Sequence, residues 1–155
     1  MPKLNFSVEN KPQPADVRAL TDELASYAQS KGLSPDGRVL AVFIRDRLSR
    51  VVGGVYGMTF WELFWVQMVW VEESLRGQGY GTELMRIAEQ EAHRRGCKLA
   101  RLETFALESL DFYEKLGYEV FGELEGHPPG RTTYFLKKTD LRAWGAVPKS
   151  AVTDA

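Results

Sequence analysis

The segment that most constrains the fold runs from a buried strand through a glycine-rich turn into an amphipathic helix. Residues 64–70 form an almost continuous apolar run, as a central strand covered on both faces would. Gly77, Gly79 and Gly81 then follow at alternate positions. From residue 81 to residue 95 the apolar residues recur at helical spacing. A strand, a turn and a helix in this order predict the first half of a parallel crossover unit.

The three glycines have two interpretations. Where a residue lacks a Cβ atom, its backbone N–H can approach an anion closely, and a helix N-terminus adds partial positive charge. The same glycines could instead serve a tight turn or close packing of the helix on the sheet. The spacing does exclude two familiar phosphate loops. The P-loop needs a lysine where Thr82 follows Gly81, and the dinucleotide fingerprint needs Gly-x-Gly-x-x-Gly. A pyrophosphate cradle of another class is the functional interpretation.

The rest of the pattern predicts an α/β fold with a mixed central sheet of about seven strands flanked by helices. Helices are predicted over residues 15–31 and 81–95, and a short one contains Tyr113. The fourth and fifth strands should run parallel, because a helix connects them. Glycines at positions 53, 54 and 57 indicate a bulge or a close backbone in the third strand. Strands are predicted over residues 4–8, 39–44, 51–60, 62–71, 99–105, 118–124 and 132–137.

Length and charge limit the class of protein. The chain has 155 residues, of which 1–140 are predicted to form one domain, and 141–155 a partly mobile tail without periodicity. A net charge of −1 and a pI near 6.2 argue against a nucleic-acid partner. No apolar run reaches the roughly 20 residues that cross a bilayer, so we expect no membrane partner and a cytoplasmic location. A homodimer is compatible with the sequence.

The single cysteine, Cys97, excludes an internal disulfide and a cysteine-based metal cluster. We interpret it as a buried structural thiol, and we predict no metal cofactor.

Two separated motifs resemble one family. Residues 76–81 (Arg-Gly-Gln-Gly-Tyr-Gly) match the Gln/Arg-x-x-Gly-x-Gly/Ala signature of the GNAT superfamily of acyl-CoA-dependent N-acetyltransferases. Residues 112–118 (Phe-Tyr-Glu-Lys-Leu-Gly-Tyr) are similar to that family's Tyr-Glu-Lys-x-Gly-Phe segment. The order of elements agrees with the family over residues 4–138, with one early helix where many members have two.

The resemblance implies that acetyl-CoA is the cosubstrate. The fourth and fifth strands would splay apart, and the pantetheine would lie in the gap against the backbone of Val69, Trp70 and Val71. The asparagine that many members have before the tyrosine is replaced here by Ala106. The residues expected to bind the pyrophosphate are Arg76, Gly77, Gln78, Gly79, Tyr80, Gly81 and Thr82.

The chemistry requires an acid and a base. An alkyl amine with a pKa near ~10.4 is protonated at neutral pH, so a group or a water chain must take its proton. The resemblance makes Tyr113 the general acid for the departing thiolate; from its position alone it could be a core tyrosine. Glu103 and Glu62 are the candidate bases. Glu103 is flanked by Leu102 and Thr104 in a central strand, where burial of an acid would be costly without a purpose.

The acceptor site cannot be assigned as closely. The aromatic residues of the third and fourth strands could line an acceptor pocket or pack in the core. His127, in a late loop, is a further proton acceptor to consider. The aromatic residues that could line the pocket are Tyr56, Trp61, Phe64, Trp65 and Trp70.

The sequence predicts an N-acetyltransferase that moves the acetyl group from acetyl-CoA to a primary amine, on a small molecule or a protein, by direct attack in a ternary complex. The alternatives are a non-catalytic acyl-CoA-binding module and another nucleotide-phosphate binder.

Overall fold

A computed structural model describes residues 2–142 of the chain. They divide into two compact units with a boundary between Pro35 and Asp36. The first unit contains one helix, α1 (Pro14–Ser30), which begins with a proline in its first turn, where the missing N–H costs no hydrogen bond. The predicted tail lies outside the described residues except for positions 141 and 142. The domain prediction, residues 1–140, stays a prediction.

The first predicted strand is wrong. Residues 4–8 alternate apolar and polar side chains but adopt no strand in the structure. Alternation specifies only which side chains share a face, whereas a strand also needs a neighbouring backbone for its N–H and C=O groups. The sheet therefore has six strands instead of about seven.

The second unit is a mixed six-stranded sheet with two helices, in the order β1-β2-β3-β4-β6-β5. The strands β3 and β4 are parallel, as predicted, and the other neighbours are antiparallel. The fold class is confirmed. No helix among residues 2–142 is long and apolar enough to span a membrane. The elements are β1 (Arg38–Arg45), β2 (Val51–Phe60), β3 (Leu63–Val71), α2 (Tyr80–Arg94), β4 (Leu99–Thr104), α3 (Leu107–Lys115), β5 (Glu119–Glu125) and β6 (Thr132–Lys138).

The helix α2 covers one face of this sheet. Its apolar positions recur at helical spacing, and Leu84, Met85 and Ala88 are fully buried. Met85 and Ala88 belong to the same core as Phe64 of β3 and Leu102 of β4. Truncation of Met85 to alanine in such a core costs about 2–5 kcal/mol, which makes this contact a main source of stability.

A bulge in β3 lies where the sheet opens. Tyr56 of β2 pairs with Met68 and Gly57 pairs with Val66, so Gln67 is an extra residue without an opposing partner. A Cβ atom on Gly57 would overlap the carbonyl oxygen of Trp65. The close backbone predicted at these glycines is present at Gly57, whereas the extra residue of the bulge lies in the partner strand β3 instead of the glycine strand.

The pairing of β3 with β4 is short. It covers residues 63–65 and 99–101, and in the part of the chain that the structure describes it ends there. β3 continues to Val71 and β4 to Thr104 without pairing with each other. The strands thus splay apart at their carboxyl ends, as expected.

Candidate active site

A cavity of about 830 Å³ lies at the carboxyl end of β3. Its wall combines the last residues of that strand, the glycine turn, the first turn of α2 and one side of α3. The lining residues are Val69, Trp70, Val71, Leu75, Arg76, Gly77, Gly79, Tyr80, Gly81, Thr82, Ala106, Glu108, Ser109, Phe112 and Tyr113.

Nine of the ten residues predicted to bind the cofactor line this cavity together with Tyr113. The exception is Gln78, whose side-chain amide donates to the Ser74 carbonyl oxygen at 3.1 Å. Its side chain therefore stabilises the turn. The ligand contacts of all ten residues stay a prediction.

The glycines have different functions within the turn. Gly77 and Gly79 have φ angles of +74° and +87°, a left-handed conformation that residues with a Cβ adopt only with strain. Gly79 is the N-cap of α2, and the first intrahelical bond runs from the Glu83 N–H to its carbonyl. Helix geometry leaves the N–H groups of the first turn without intrahelical acceptors. These groups and the helix dipole favour an anion at this end of the cavity.

Gly81 has the packing function. A Cβ at this position would lie 3.2 Å from Cζ of Phe112 in α3, so the absent side chain allows close approach of the two helices. The packing interpretation of the glycine motif is therefore correct at Gly81, and the anion-binding interpretation stays a prediction.

Arg76 holds the turn against the strand. Its Nε donates to the Val71 carbonyl oxygen at 2.9 Å, which ties the start of the turn to the last residue of β3. A fixed turn is an advantage for anion binding, because little conformational entropy is lost when the ligand arrives.

Tyr113 is buried, and its ring meets Phe112 and Tyr118 edge to face at centroid distances of 5.0 and 5.8 Å. Burial raises the pKa of Tyr113 to about 12. The phenol is therefore protonated at neutral pH and can donate a hydrogen bond into the cavity. Tyr113 is thus part of the core and of the cavity wall, and its function as the acid stays a prediction.

Glu62 lies at the far end of β3. It forms the turn before this strand with a φ angle of +62°, and its carboxylate pairs with Lys98 Nζ at 2.9 Å. Val69 is seven positions farther along the chain, a strand distance of roughly 23 Å. The structure does not bring Glu62 to the cavity, and the distance argues against its predicted function as the base.

Glu103 does not line the cavity either, and the premise of its burial is wrong. Ala100 and Leu102 of β4 are buried on the face that α2 covers, so strand alternation directs Glu103 to the other face, where it is exposed. Its position in β4 is past Arg101, the last residue paired with β3. It therefore lies along the part of the strand where the gap opens.

The aromatic residues do not form one pocket. Phe64 is fully buried in the core, and the Arg101 guanidinium lies over the ring of Trp65 at 4.6 Å. Trp61 lies in the turn at the far end of β3. Of the five predicted aromatic residues, Trp70 alone lines the cavity, and about half of its surface is exposed.

Sequence reasoning missed five lining residues: Leu75, Ala106, Glu108, Ser109 and Phe112. Helical spacing could have identified one of them. Residues four apart share a helix face, so Tyr113 implies Ser109. No group of His, Cys, Asp and Glu residues within 2–142 could hold a metal ion.

Comparison with known proteins assigns the family. Residues 36–120 match the acetyltransferase (GNAT) domain. An acetyltransferase of Agrobacterium fabrum is 32% identical over 135 residues, which are 87% of this chain and 98% of that protein. The chain belongs to the GNAT family of acetyltransferases, enzymes that use acetyl-CoA.

Two further relatives agree with this assignment. The blasticidin-S acetyltransferase of Streptomyces morookaense is 31% identical over 101 residues, 64% of this chain and 74% of that protein. The crystal structure of an acetyltransferase from Bacillus cereus superposes with a TM-score of 0.73 at 26% identity, covering 86% of this chain and 96% of that one.

Proposed function

We propose that this protein transfers the acetyl group of acetyl-CoA to a primary amine by direct attack in a ternary complex. One observation carries the proposal: a single cavity joins the start of α2, where the helix dipole favours an anion, to the buried, protonated phenol of Tyr113. An acyl-CoA needs both, because its pyrophosphate is anionic and its thioester sulfur leaves as a thiolate.

The cofactor would lie along β3. Beyond Trp65 the edge of β3 that faces β4 has no partner strand within the described residues. Apart from the Val71 carbonyl, which accepts from Arg76 Nε, the backbone groups of Val69, Trp70 and Val71 on this edge would pair with the amides of pantetheine. Residues 76–82 would hold the pyrophosphate by backbone N–H groups and the helix dipole. Metal ions are not needed for this mode of binding.

The reaction forms a C–N bond and breaks the C–S bond. The neutral amine attacks the thioester carbon, the carbonyl oxygen becomes negative, and collapse of this intermediate expels the thiolate. Tyr113 acts as the acid by donating a hydrogen bond to the sulfur. Complete proton transfer from a phenol of pKa about 12 to a thiolate near ~8.5 would cost roughly 5 kcal/mol, so the proton that CoA finally carries comes from the attacking nitrogen.

The acceptor amine must first lose the proton of its ammonium form. Of the two predicted bases, Glu103 fits better, because it lies where β3 and β4 separate, whereas Glu62 is at the far end of β3. Its exposed carboxylate would take the proton directly or through water. A relative that acts on blasticidin S supports testing non-protein amines first.

The alternative is a non-catalytic acyl-CoA-binding module. It is favoured by two specific observations: Ala106 lines the cavity where many family members have asparagine, and neither Glu62 nor Glu103 lines it. Such a protein would keep the cofactor cradle without turnover.

Release of free thiol from acetyl-CoA, measured against a panel of primary amines, separates these functions. We expect amine-dependent release by the wild-type protein, and a much lower rate with unchanged CoA affinity for Tyr113→Phe. A Glu103→Gln variant should lower the rate, while Glu62→Gln, the matched control, should leave it unchanged. Tight CoA binding without thiol release across the panel would establish the binding module.

A further inference from the structure

A buried charged group lies behind the cavity wall. Glu89 on α2 is fully buried, and its two carboxylate oxygens have different donors. Tyr118 Oη donates to one at 2.6 Å, and Lys138 Nζ donates to the other at 2.9 Å. None of these three residues lines the cavity. Glu89, Tyr118 and Lys138 take no direct part in the proposed reaction.

Stability alone does not explain why Glu89 and Lys138 are buried as an ion pair. Taking a carboxylate and an ammonium out of water costs several kcal/mol, and apolar residues of similar volume often stabilise a core as well or better. Burial raises the pKa of the Tyr118 phenol well above its ordinary value, with the Glu89 carboxylate adding to the effect. The hydroxyl thus remains a donor, and it fixes the Tyr118 ring relative to α2 and β6.

Tyr118 is in turn joined to Tyr113 by the end of α3. The Tyr118 N–H donates to the Tyr113 carbonyl and the Gly117 N–H to the Glu114 carbonyl, both at 3.0 Å. Gly117 is left-handed, with a φ angle of +91°. These are the two bonds of a Schellman motif, in which the residue after the glycine also packs on the helix. Here that contact is the edge-to-face pair of the Tyr118 and Tyr113 rings.

The other end of α3 has a weaker attachment. The helix has nine residues, and its N-cap, Ala106, has no side chain that could accept from the first turn. A helix this short depends on tertiary contacts for its order. The Schellman motif at the carboxyl end is therefore the part of α3 that can set the direction of the Tyr113 ring.

We propose that Tyr118, anchored by Glu89 and Lys138, is a positioning residue that holds the phenol of Tyr113 in line with the departing sulfur. This inference rests on the proposed function of Tyr113 as the acid. It assigns a catalytic consequence to a group that never touches the substrate.

The test is a double-mutant cycle on thiol release, with variants Tyr118→Phe, Tyr113→Phe and both together. The phenylalanine keeps the ring and the Schellman motif and removes only the bond to Glu89. We expect Tyr118→Phe to lower kcat about tenfold, because small displacements of a reacting group are costly, and to leave the KM for acetyl-CoA unchanged. In the Tyr113→Phe background the same change should have no further effect.

Tyr134→Phe is the matched control, since Tyr134 of β6 packs against the same core and lies outside the cavity wall. It should leave kcat unchanged. If Tyr118→Phe does not fold, Glu89→Gln provides the second variant, because it weakens the same anchor and retains the shape. Equal losses in both backgrounds, or a rise in KM that matches the fall in kcat, would show a purely structural group and overturn the proposal.

A second readout is independent of turnover. With fluorine-labelled tyrosine, the resonance of Tyr113 should shift or broaden in Tyr118→Phe and stay unchanged in Tyr134→Phe. An unchanged resonance in Tyr118→Phe contradicts positioning even if catalysis is lost. An active wild-type protein with an equally active Tyr113→Phe variant would instead refute the proposed acid, so the two failures are distinguishable.

Discussion

Gly81 and Phe112 are in such close contact that a Cβ atom on Gly81 would lie 3.2 Å from Cζ and 3.4 Å from Cε2 of the ring. The first residue belongs to the opening turn of α2, and the second to α3. Both line the cavity. The separation of the two helices, and with it the width of the cavity, depends on the absence of a side chain at position 81.

Gly81→Ala should therefore weaken cofactor binding more than folding. Alanine favours the helix by about 0.5–1 kcal/mol over glycine, which offsets part of the strain from pushing Phe112 aside. We expect an unfolding midpoint close to that of the wild type and a several-fold rise in the Kd of CoA, measured by calorimetry. The double variant Gly81→Ala/Phe112→Leu should recover part of the affinity. Unchanged CoA affinity in Gly81→Ala would contradict a packing function for this glycine.

Gly77→Ala and Gly96→Ala form a matched pair that separates backbone strain from binding. Both glycines are left-handed, at φ +74° and +94°, and an added Cβ would meet no atom within 4 Å at either site. Each change should lower the free energy of unfolding by about 1–2 kcal/mol. Only Gly77 lines the cavity, so only Gly77→Ala should lose CoA affinity. Equal losses of affinity in both variants would show that the turn acts through stability alone.

The contribution of Tyr113 to the rate should be independent of pH over the ordinary range. A group with a pKa of about 12 is protonated below that value, so its hydrogen bond to the sulfur is fully present from about pH 6 to about pH 10. We expect Tyr113→Phe to lower kcat by about a hundredfold, with a constant ratio of wild-type to variant rates over this interval. A ratio that falls toward one between pH 8 and pH 10 would mean that the phenol ionises there and that another group is the acid.

Glu91 should make stability depend on acid pH. Hydrogen bonds from Arg94 and Arg95 lower its pKa to about 2. Arg95 also donates to the Val39 carbonyl at 2.9 Å, so this pair joins α2 to β1. A depressed carboxyl pKa adds stability above the unfolded value and loses it as pH falls through the folded value. Glu91→Gln should cost about 1 kcal/mol at pH 7.

The difference between wild type and Glu91→Gln should shrink from about pH 4.5 downward and vanish near pH 2. Urea unfolding at a series of pH values measures it. Glu62→Gln is a suitable comparison, since its partner Lys98 is largely exposed and the pair should contribute little. A constant difference across the acid range would mean that the Glu91 contacts are not electrostatic.

The sequence predicted those features that depend on local pattern. The strand, the glycine turn and α2 were recognisable because their spacing and their glycines are dictated by nearby backbone geometry. The prediction failed where a distant partner decides the outcome. Residues 4–8 alternate apolar and polar side chains but adopt no strand. Glu103 is exposed although it lies in a central strand, because its burial depends on which face of the sheet is covered.

The same limit applies to the polar residues. Glu62 has the chemistry of a base, but its distance from the cavity along β3 argues against that function, and this distance can be estimated from the strand length that the sequence predicts. Glu89 was not identified at all. Its donors, Tyr118 and Lys138, are 29 and 49 residues away in sequence, so no spacing rule connects them.

The pairing of β3 with β4 ends at Trp65 and Arg101, and this affects which positions near the cavity can change during evolution. If the amides of the cofactor are met by main-chain groups that this separation exposes, the side chains of residues 69–71 can change without removing a single donor or acceptor. A library randomised at these three positions should then retain cofactor affinity in many members, while their preference among amines diverges. In that case the separation of the two strands would make cofactor binding tolerant of side-chain changes at residues 69–71, and such changes could alter which amine is accepted.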